Sequence, residues 1–277
     1  MKSVGRFWSS CTLAWAFVRR DVLFETSYKL QSLVHLLGVF AQILIFYYLS
    51  KVLGDGQTDL QPYGGSYFSF VLVGIVFHNI FDATLLTQFT NALRLQLTLG
   101  VFEAMCATPL RPSHLMSYSL LWPMAGSLLK ASIYLLLGAT ALGAELGITR
   151  FPVLLLTLGL CIVVFGSLAM IAGSLLLYFK RGDPVTWLLS TLVALVGGVF
   201  FPTNALPSWL EGVSRILPMP YALDALRIEL IPSADPSELW EKHLALLVFA
   251  AILGPTAWLV TTKLFEVSRR QGGLGLH

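Results

Sequence analysis

Long apolar runs separated by short polar connections set the pattern of this chain. Leu30 to Ser50, Gly64 to Phe81, Pro152 to Phe179, Val185 to Phe201 and His243 to Thr262 contain no Asp, Glu, Lys or Arg, and Pro112 to Ala144 contains only Lys130. Such runs are about the 18–20 residues that an α-helix needs to cross roughly 30 Å of hydrocarbon. Six helical spans are therefore expected. The runs are continuous and lack the alternation of membrane strands, which disfavours a β-barrel.

The polar punctuation is informative in two places. Val185 to Phe201 flows directly into PTNALPSWLEGVSRILPMPYALDALR, cut by Pro202, Pro207, Pro218 and Pro220. Proline lacks the amide donor and crowds the preceding turn, so it starts or stops helices. Ser208 and Glu211 have capping-box spacing, which predicts a new helix there. A span running into short helices at the water boundary suggests the shaping of an entry or exit. At the other end, Val4, Trp8, Cys11, Trp15, Val18 and Val22 recur at spacings of four and three, and Leu13, Phe17 and Phe24 form a second strip. A helix over 4–26 lying in the headgroup layer is expected, with a protein surface as the other way to cover it.

Composition agrees. The 277 residues are 56% hydrophobic and 12% charged, against about 25% charged in soluble domains, and the mean hydropathy is +0.75. The distribution of basic residues matters more than the net charge of +3. Lys2, Arg6, Arg19, Arg20, Lys29, Arg94, Arg111, Lys180, Arg181, Lys263, Arg269 and Arg270 fall on one side of the six spans. Only Lys51, Arg150, Arg215, Arg227 and Lys242 fall on the other. By the positive-inside rule both termini are expected to be cytoplasmic. Arg19, Arg20 and Asp21 interrupt the first apolar stretch, which does not suit a cleavable signal peptide.

Catalytic chemistry finds little support. There is no GxxxxGK[ST] phosphate cradle, no HExxH and no GxSxG. Cys11, Cys106 and Cys161 are odd in number and lack CxxC spacing, so neither a disulfide framework nor a metal or redox pair is expected. No nucleic-acid partner is expected either. His78 and Asp82, four apart beside Asn79, share a helix face near a span end, where a structural hydrogen bond competes with a functional role. Lys130 either snorkels towards one edge or pairs with a neighbouring carboxylate, with a pathway role as a further reading. Aromatic residues crowd the first two spans, with Phe40, Tyr47, Phe70 and Phe77 among them; packing or lipid contact competes with a place along a pathway. Trp122, Trp187, Trp209 and Trp240 fall near span ends, as interfacial belts require. Gly166, Ser167, Ala169, Ala172, Gly173 and Ser174 form a small-residue face read as helix packing. Two function classes stay open on these residues: an intramembrane lipid-modifying enzyme centred on His78 and Asp82, and a proton-coupled carrier using Asp82 or Lys130.

Taken together, the segments VRRDVLFETSYKL, LGVFEAMCATPLRPSHL, KRGDPV and GGVFFPTNALPSWLEGVSRILPMPYALDALR resemble the membrane (permease) subunit of type-2 ABC exporters over nearly the full length. The resemblance implies one all-α transmembrane domain over 1–277. It would have six transmembrane helices, an N-terminal amphipathic interfacial helix (4–26), a cytoplasmic coupling-helix region (91–114) and re-entrant extracellular helices (202–230) between spans five and six. It implies no cofactor in this chain, with ATP and Mg bound by two cytosolic ATPase subunits. It also implies a second permease copy as a homodimer, set in lipid in a bacterial inner membrane. FEAMCATPLRP resembles the coupling-helix region, so Glu103, Thr108, Pro109 and Arg111 are carried over as ATPase contacts, although Met105-Cys106 replaces more usual aliphatic residues. Arg19 and Arg20 would border a lateral opening for headgroups. Phe40, Tyr47, Phe70, Phe77 and Phe200 are the pathway candidates, and Pro202, Trp209 and Tyr221 the outer gate. The cargo expected on this basis is an amphiphile: a lipid, a lipid-linked glycan or polysaccharide, or a drug.

Overall fold

The computed structural model describes residues 2–27, 29–53, 63, 66–81, 89–101, 112–148, 150–179 and 184–270. Within them the chain is helical and without strands. The helices are α1 (Lys2–Ser27), α2 (Lys29–Leu53), α3 (Tyr67–His78), α4 (Phe89–Thr98), α5 (Pro112–Ala141), α6 (Phe151–Phe179), α7 (Pro184–Val196), α8 (Ser208–Ser214), α9 (Pro218–Leu230) and α10 (Leu239–Arg270). Three segments, Ser113–Ala141, Phe151–Leu177 and Pro236–Val267, are long and apolar enough to cross a bilayer. Leu36–Val52 and Tyr67–Phe81 are shorter apolar helices. Of the six expected spans, three thus have full spanning length among the described residues.

α3 sits at the centre. Every residue from Tyr67 to Phe77 is buried, as a helix apolar on all sides requires. Ser66 caps its start by accepting from the Ser69 amide. Leu72 of α3 packs so closely on Gly138 of α5 that any side chain at 138 would meet it. α6 and α10 lie along one another. Thr157 meets His243 near one end, and the Ser174 and Thr261 hydroxyls meet at 2.9 Å near the other, so the two helices run parallel. Of the small-residue face of α6, Gly173 packs closely, since a Cβ there would come within 2.8 Å of the Phe89 ring of α4, whereas a Cβ on Gly166 would meet nothing within 4 Å.

α1 is one unbroken helix resting on α5. Its Phe17 ring lies 5.8 Å from Tyr118, whereas Trp15 is exposed, so the second apolar strip, not the Trp15 stripe, contributes this contact. Lys130 pairs with Glu25 at 2.7 Å, and Glu25 also accepts from the Trp122 indole at 2.7 Å. Pairing with a neighbouring carboxylate therefore accounts for the costly lysine, and Trp122 serves that carboxylate.

Two expectations are corrected. The apolar run ending at Phe201 stops being helix at Val196, because Gly197 and Gly198 follow and Gly198 adopts φ +78°, a conformation that favours glycine. α8 begins at Ser208 as expected, but Pro207 occupies the cap position and no side chain caps it. Glu211 pairs forward with Arg215 at 2.7 Å instead of reaching back.

Candidate functional site

The starts of α3, α6 and α10 and the end of α5 gather at one end of the bundle, and α9 is inserted among them. Glu145, just past α5, donates its amide to Ser69 of α3 at 2.9 Å, and Gly147 donates to the Leu230 carbonyl of α9 at 2.8 Å. α9 follows the Leu217–Pro218 break, and its residues from Ala222 to Leu230 are all buried. Three of these are charged: Asp224, Arg227 and Glu229. Burying charge is costly without partners, so their partners define the site.

Arg227, 1% exposed, points towards α3 and the end of α7. Its Nε donates to the Phe70 carbonyl at 3.2 Å, and its Nη2 donates to the carbonyls of Gly198 and Val199 at 2.8 and 3.2 Å. The guanidinium also lies 3.5 Å from the Phe70 ring centroid, a cation–π contact strengthened by exclusion of water. The break at Gly197–Gly198 frees the Gly198 and Val199 carbonyls that Arg227 takes up. Gly74 completes the arrangement, since a Cβ there would fall on the Val199 carbonyl oxygen and within 2.8 Å of Nη2.

Asp224 supplies the compensating charge 3.8 Å from Arg227 Nη1. It accepts a hydrogen bond from the Tyr63 hydroxyl at 2.9 Å and lies 3.5 Å from Lys242 of α10, which also pairs with Glu238 at 3.1 Å. Burial, and then the neighbouring Asp224 carboxylate, push the Tyr63 phenol above its ordinary pKa, which keeps it protonated as the donor.

On the opposite side, Glu229 reaches α6 and α10. The Thr157 hydroxyl lies 2.6 Å from Glu229 Oε1 and 2.6 Å from His243 Nε2, and the carboxylate and imidazole are 3.4 Å apart. α9 is therefore held through charged side chains on two faces, one towards α3 and α7 and one towards α6 and α10.

The residues singled out from sequence are placed differently. Glu103, Thr108, Pro109, Arg111 and Asp82 lie outside the described residues. Arg19 is exposed, while Arg20 is engaged by Asp21 at 2.7 Å and lies over the Phe17 ring. Phe70 and Phe77 are buried in the core, Phe70 directly beneath Arg227. Phe40, Tyr47 and Phe200 are half-buried. Phe200 stacks on Phe46 of α2 at 5.0 Å, and Tyr47 meets Phe68 edge-on at 5.2 Å. Pro202 is buried and Trp209 exposed. The Tyr221 hydroxyl donates to the Arg215 carbonyl at 3.0 Å, tying α9 to α8.

The charged face of α9 is not legible in the sequence, which places Arg227 among the outer-side cations and within the re-entrant segment 202–230 without showing that it is buried. The available signal was Asp224, Arg227 and Glu229 set within an apolar helix between prolines and a span.

Residues 12–231 match the family described as ABC-2 type transporter. Among similar proteins, Nodulation protein J of Rhizobium meliloti (strain 1021) is 29% identical over 216 residues, covering 76% of this chain and 78% of that protein. Nodulation protein J of Rhizobium leguminosarum bv. trifolii is 26% identical over 220 residues, covering 78% and 80%.

Proposed function

We propose, from the premise that this chain belongs to the ABC-2 type transporter family, how a multi-pass ABC transporter permease of this sequence works. The family match over residues 12–231 is the observation that carries the reading. Membership makes the chain a membrane component of transport, not a catalytic enzyme. The direction is export. Two copies of the chain form the path across a bacterial inner membrane, each with six spans and cytoplasmic termini. Two cytosolic ATPase subunits, which bind ATP and Mg, drive it.

The cargo is an amphiphile, a lipid or lipid-linked glycan. The low charge of the chain supports this, as do the half-buried aromatics Phe40, Tyr47 and Phe200 on α2 and beyond α7. Arg19, exposed on α1, borders the lateral opening with Arg20 and draws anionic headgroups by charge. Pro202, Trp209 and Tyr221 close the outer end, with α8 and α9 as re-entrant helices. Tyr221 joins these two helices through the Arg215 carbonyl, so movement of one is passed to the other.

The drive enters through the segment of Glu103, Thr108, Pro109 and Arg111, which docks on the ATPase. Glu103→Ala and Glu103→Arg test it, in the complex purified with its copurifying nucleotide-binding subunit. Both variants are expected to lower ATP turnover and transport, the charge reversal more than the truncation. Normal assembly, turnover and transport in both would remove the coupling role.

A further inference from the structure

α9 runs antiparallel to α10. Glu229 near its end meets His243 at 3.4 Å, and Tyr221 near its start meets Phe249 at 5.9 Å between ring centroids. Glu241 and Lys242 are the last charged residues before the apolar run that His243 opens. Phe249 lies six positions beyond His243, which is about 9 Å deeper at the rise of an α-helix. α9 therefore starts below the level of those charges, and the turn joining it to α8 is sunk into the apolar layer. The Tyr221 hydroxyl fixes that turn by donating to the Arg215 carbonyl at 3.0 Å.

α8 presents three sides. Ser214 is buried and Leu210 half-buried, facing the protein. Trp209, Val213 and Ile216, spaced by four and three, form an exposed apolar stripe. The Arg215 and Ile216 amides donate back to the Glu211 and Val213 carbonyls, so the helical spacing carries on past Ser214. On the third side Glu211 and Arg215 pair at 2.7 Å, with the Arg215 side chain 73% exposed.

The two exposed sides ask for different surroundings. An apolar stripe that includes a tryptophan suits the apolar layer and its edge. An ion pair this exposed does not suit hydrocarbon, since charged groups within a membrane face a bundle interior or a water-filled space. Backbone that leaves a helix at membrane depth has the same requirement, and the turn from α8 to α9 is such a place. Both sides are satisfied when the Glu211–Arg215 side borders water that enters from the end of the bundle where α6 and α10 start. Glu211 takes one N–H donor of the Arg215 guanidinium, which carries five. The wetted side is thus donor-rich and fits the oxygen-rich headgroup of an amphiphile.

We propose that the Glu211–Arg215 side of α8 is the wall of a water-filled recess sunk into the membrane, along which the headgroup of the cargo passes. The passage of cargo rests on the chain acting as an exporter; the wetting does not.

The test is nitroxide accessibility in the full-length chain in lipid nanodiscs, with Cys11→Ala, Cys106→Ala and Cys161→Ala to remove its own thiols. A single label is carried at Glu211→Cys, at Arg215→Cys or at Val248→Cys. Val248 is exposed on α10 beside Phe249 and serves as the lipid-facing reference at that depth. Relative to it, labels at Glu211→Cys and Arg215→Cys should collide several-fold more with water-soluble nickel–EDDA, while the label at Val248→Cys should favour oxygen dissolved in the lipid. An oxygen-favouring label at either α8 position would put lipid against the pair. A label shielded from both reagents would put a second copy of the chain there. Either result overturns the proposal, as does a label at Val248→Cys that favours nickel, because Phe249 would then lie outside the apolar layer. ATP turnover in the Glu103 variants judges the export reading separately from all of these.

Discussion

α8 and α9 are consecutive short helices, each set off by proline and each carrying an acid–base pair within one turn. Glu211 of α8 and Arg215, the residue just past its end, lie 2.7 Å apart with Arg215 largely exposed, while Asp224 and Arg227 in α9 lie 3.8 Å apart with Arg227 buried. The closer pair is the weaker stabiliser, because water screens it and two long side chains lose freedom to hold it. The longer pair sits where water is excluded, and Arg227 also satisfies carbonyls of Phe70, Gly198 and Val199. Local spacing is similar in the two helices. What differs is whether neighbouring backbone has been opened to receive the side chain.

The sharpest way to break this comparison is Arg227→Met. It removes the cation from a buried pair and takes the side-chain donor from the Gly198 and Val199 carbonyls at the helix break, so a loss of about 3–5 kcal/mol is expected in denaturant unfolding of the full-length chain. A loss below about 1 kcal/mol would put the pair in the same class as the exposed one of α8. Gly74→Ala comes next, at about 1–3 kcal/mol, since its methyl would land on the Val199 carbonyl beside Arg227. Combining it with Arg227→Met should cost less than the sum of the two, and strict additivity would show that the contacts are independent.

Lys130→Met provides an intermediate case, because its pair with Glu25 is only partly shielded. About 1 kcal/mol is expected after solvent screening, read as a lowered thermal midpoint. A double-mutant cycle with Glu25→Gln should recover most of that as coupling. Arg215→Ala should stay within about 0.5 kcal/mol of the parent in the same assay. A loss matching that of Arg227 would mean that α8 is held much as α9 is.

Legibility in the sequence followed the same physical division. The starts of α5, α6 and α7 could be read to within a residue, because long apolar runs and Pro112, Pro152 and Pro184 mark them. Lys130 stood out as an ionisable residue in an apolar run, and carboxylate pairing was among its anticipated outcomes. Its partner, Glu25, was not identifiable, since it lies 105 positions away. Phe70 and Phe77 read as pathway aromatics because aromatic side chains suit lining and core positions alike; burial on all sides of α3 gives them core positions within the chain.

What the sequence determined by itself is the set of forces with a local signature. Apolar length made helices, proline and the Gly197–Gly198 pair interrupted them, and the run from Leu99 onwards resembled a transporter's cytoplasmic contact. The tertiary structure alone decided which charges are buried and with whom. Arg227, Glu229 and His243 resemble ordinary polar punctuation until α9 lies between α3 and the parallel pair α6 and α10. Burial of a charge depends on distant backbone and side chains arriving together, and no spacing along the chain encodes that meeting.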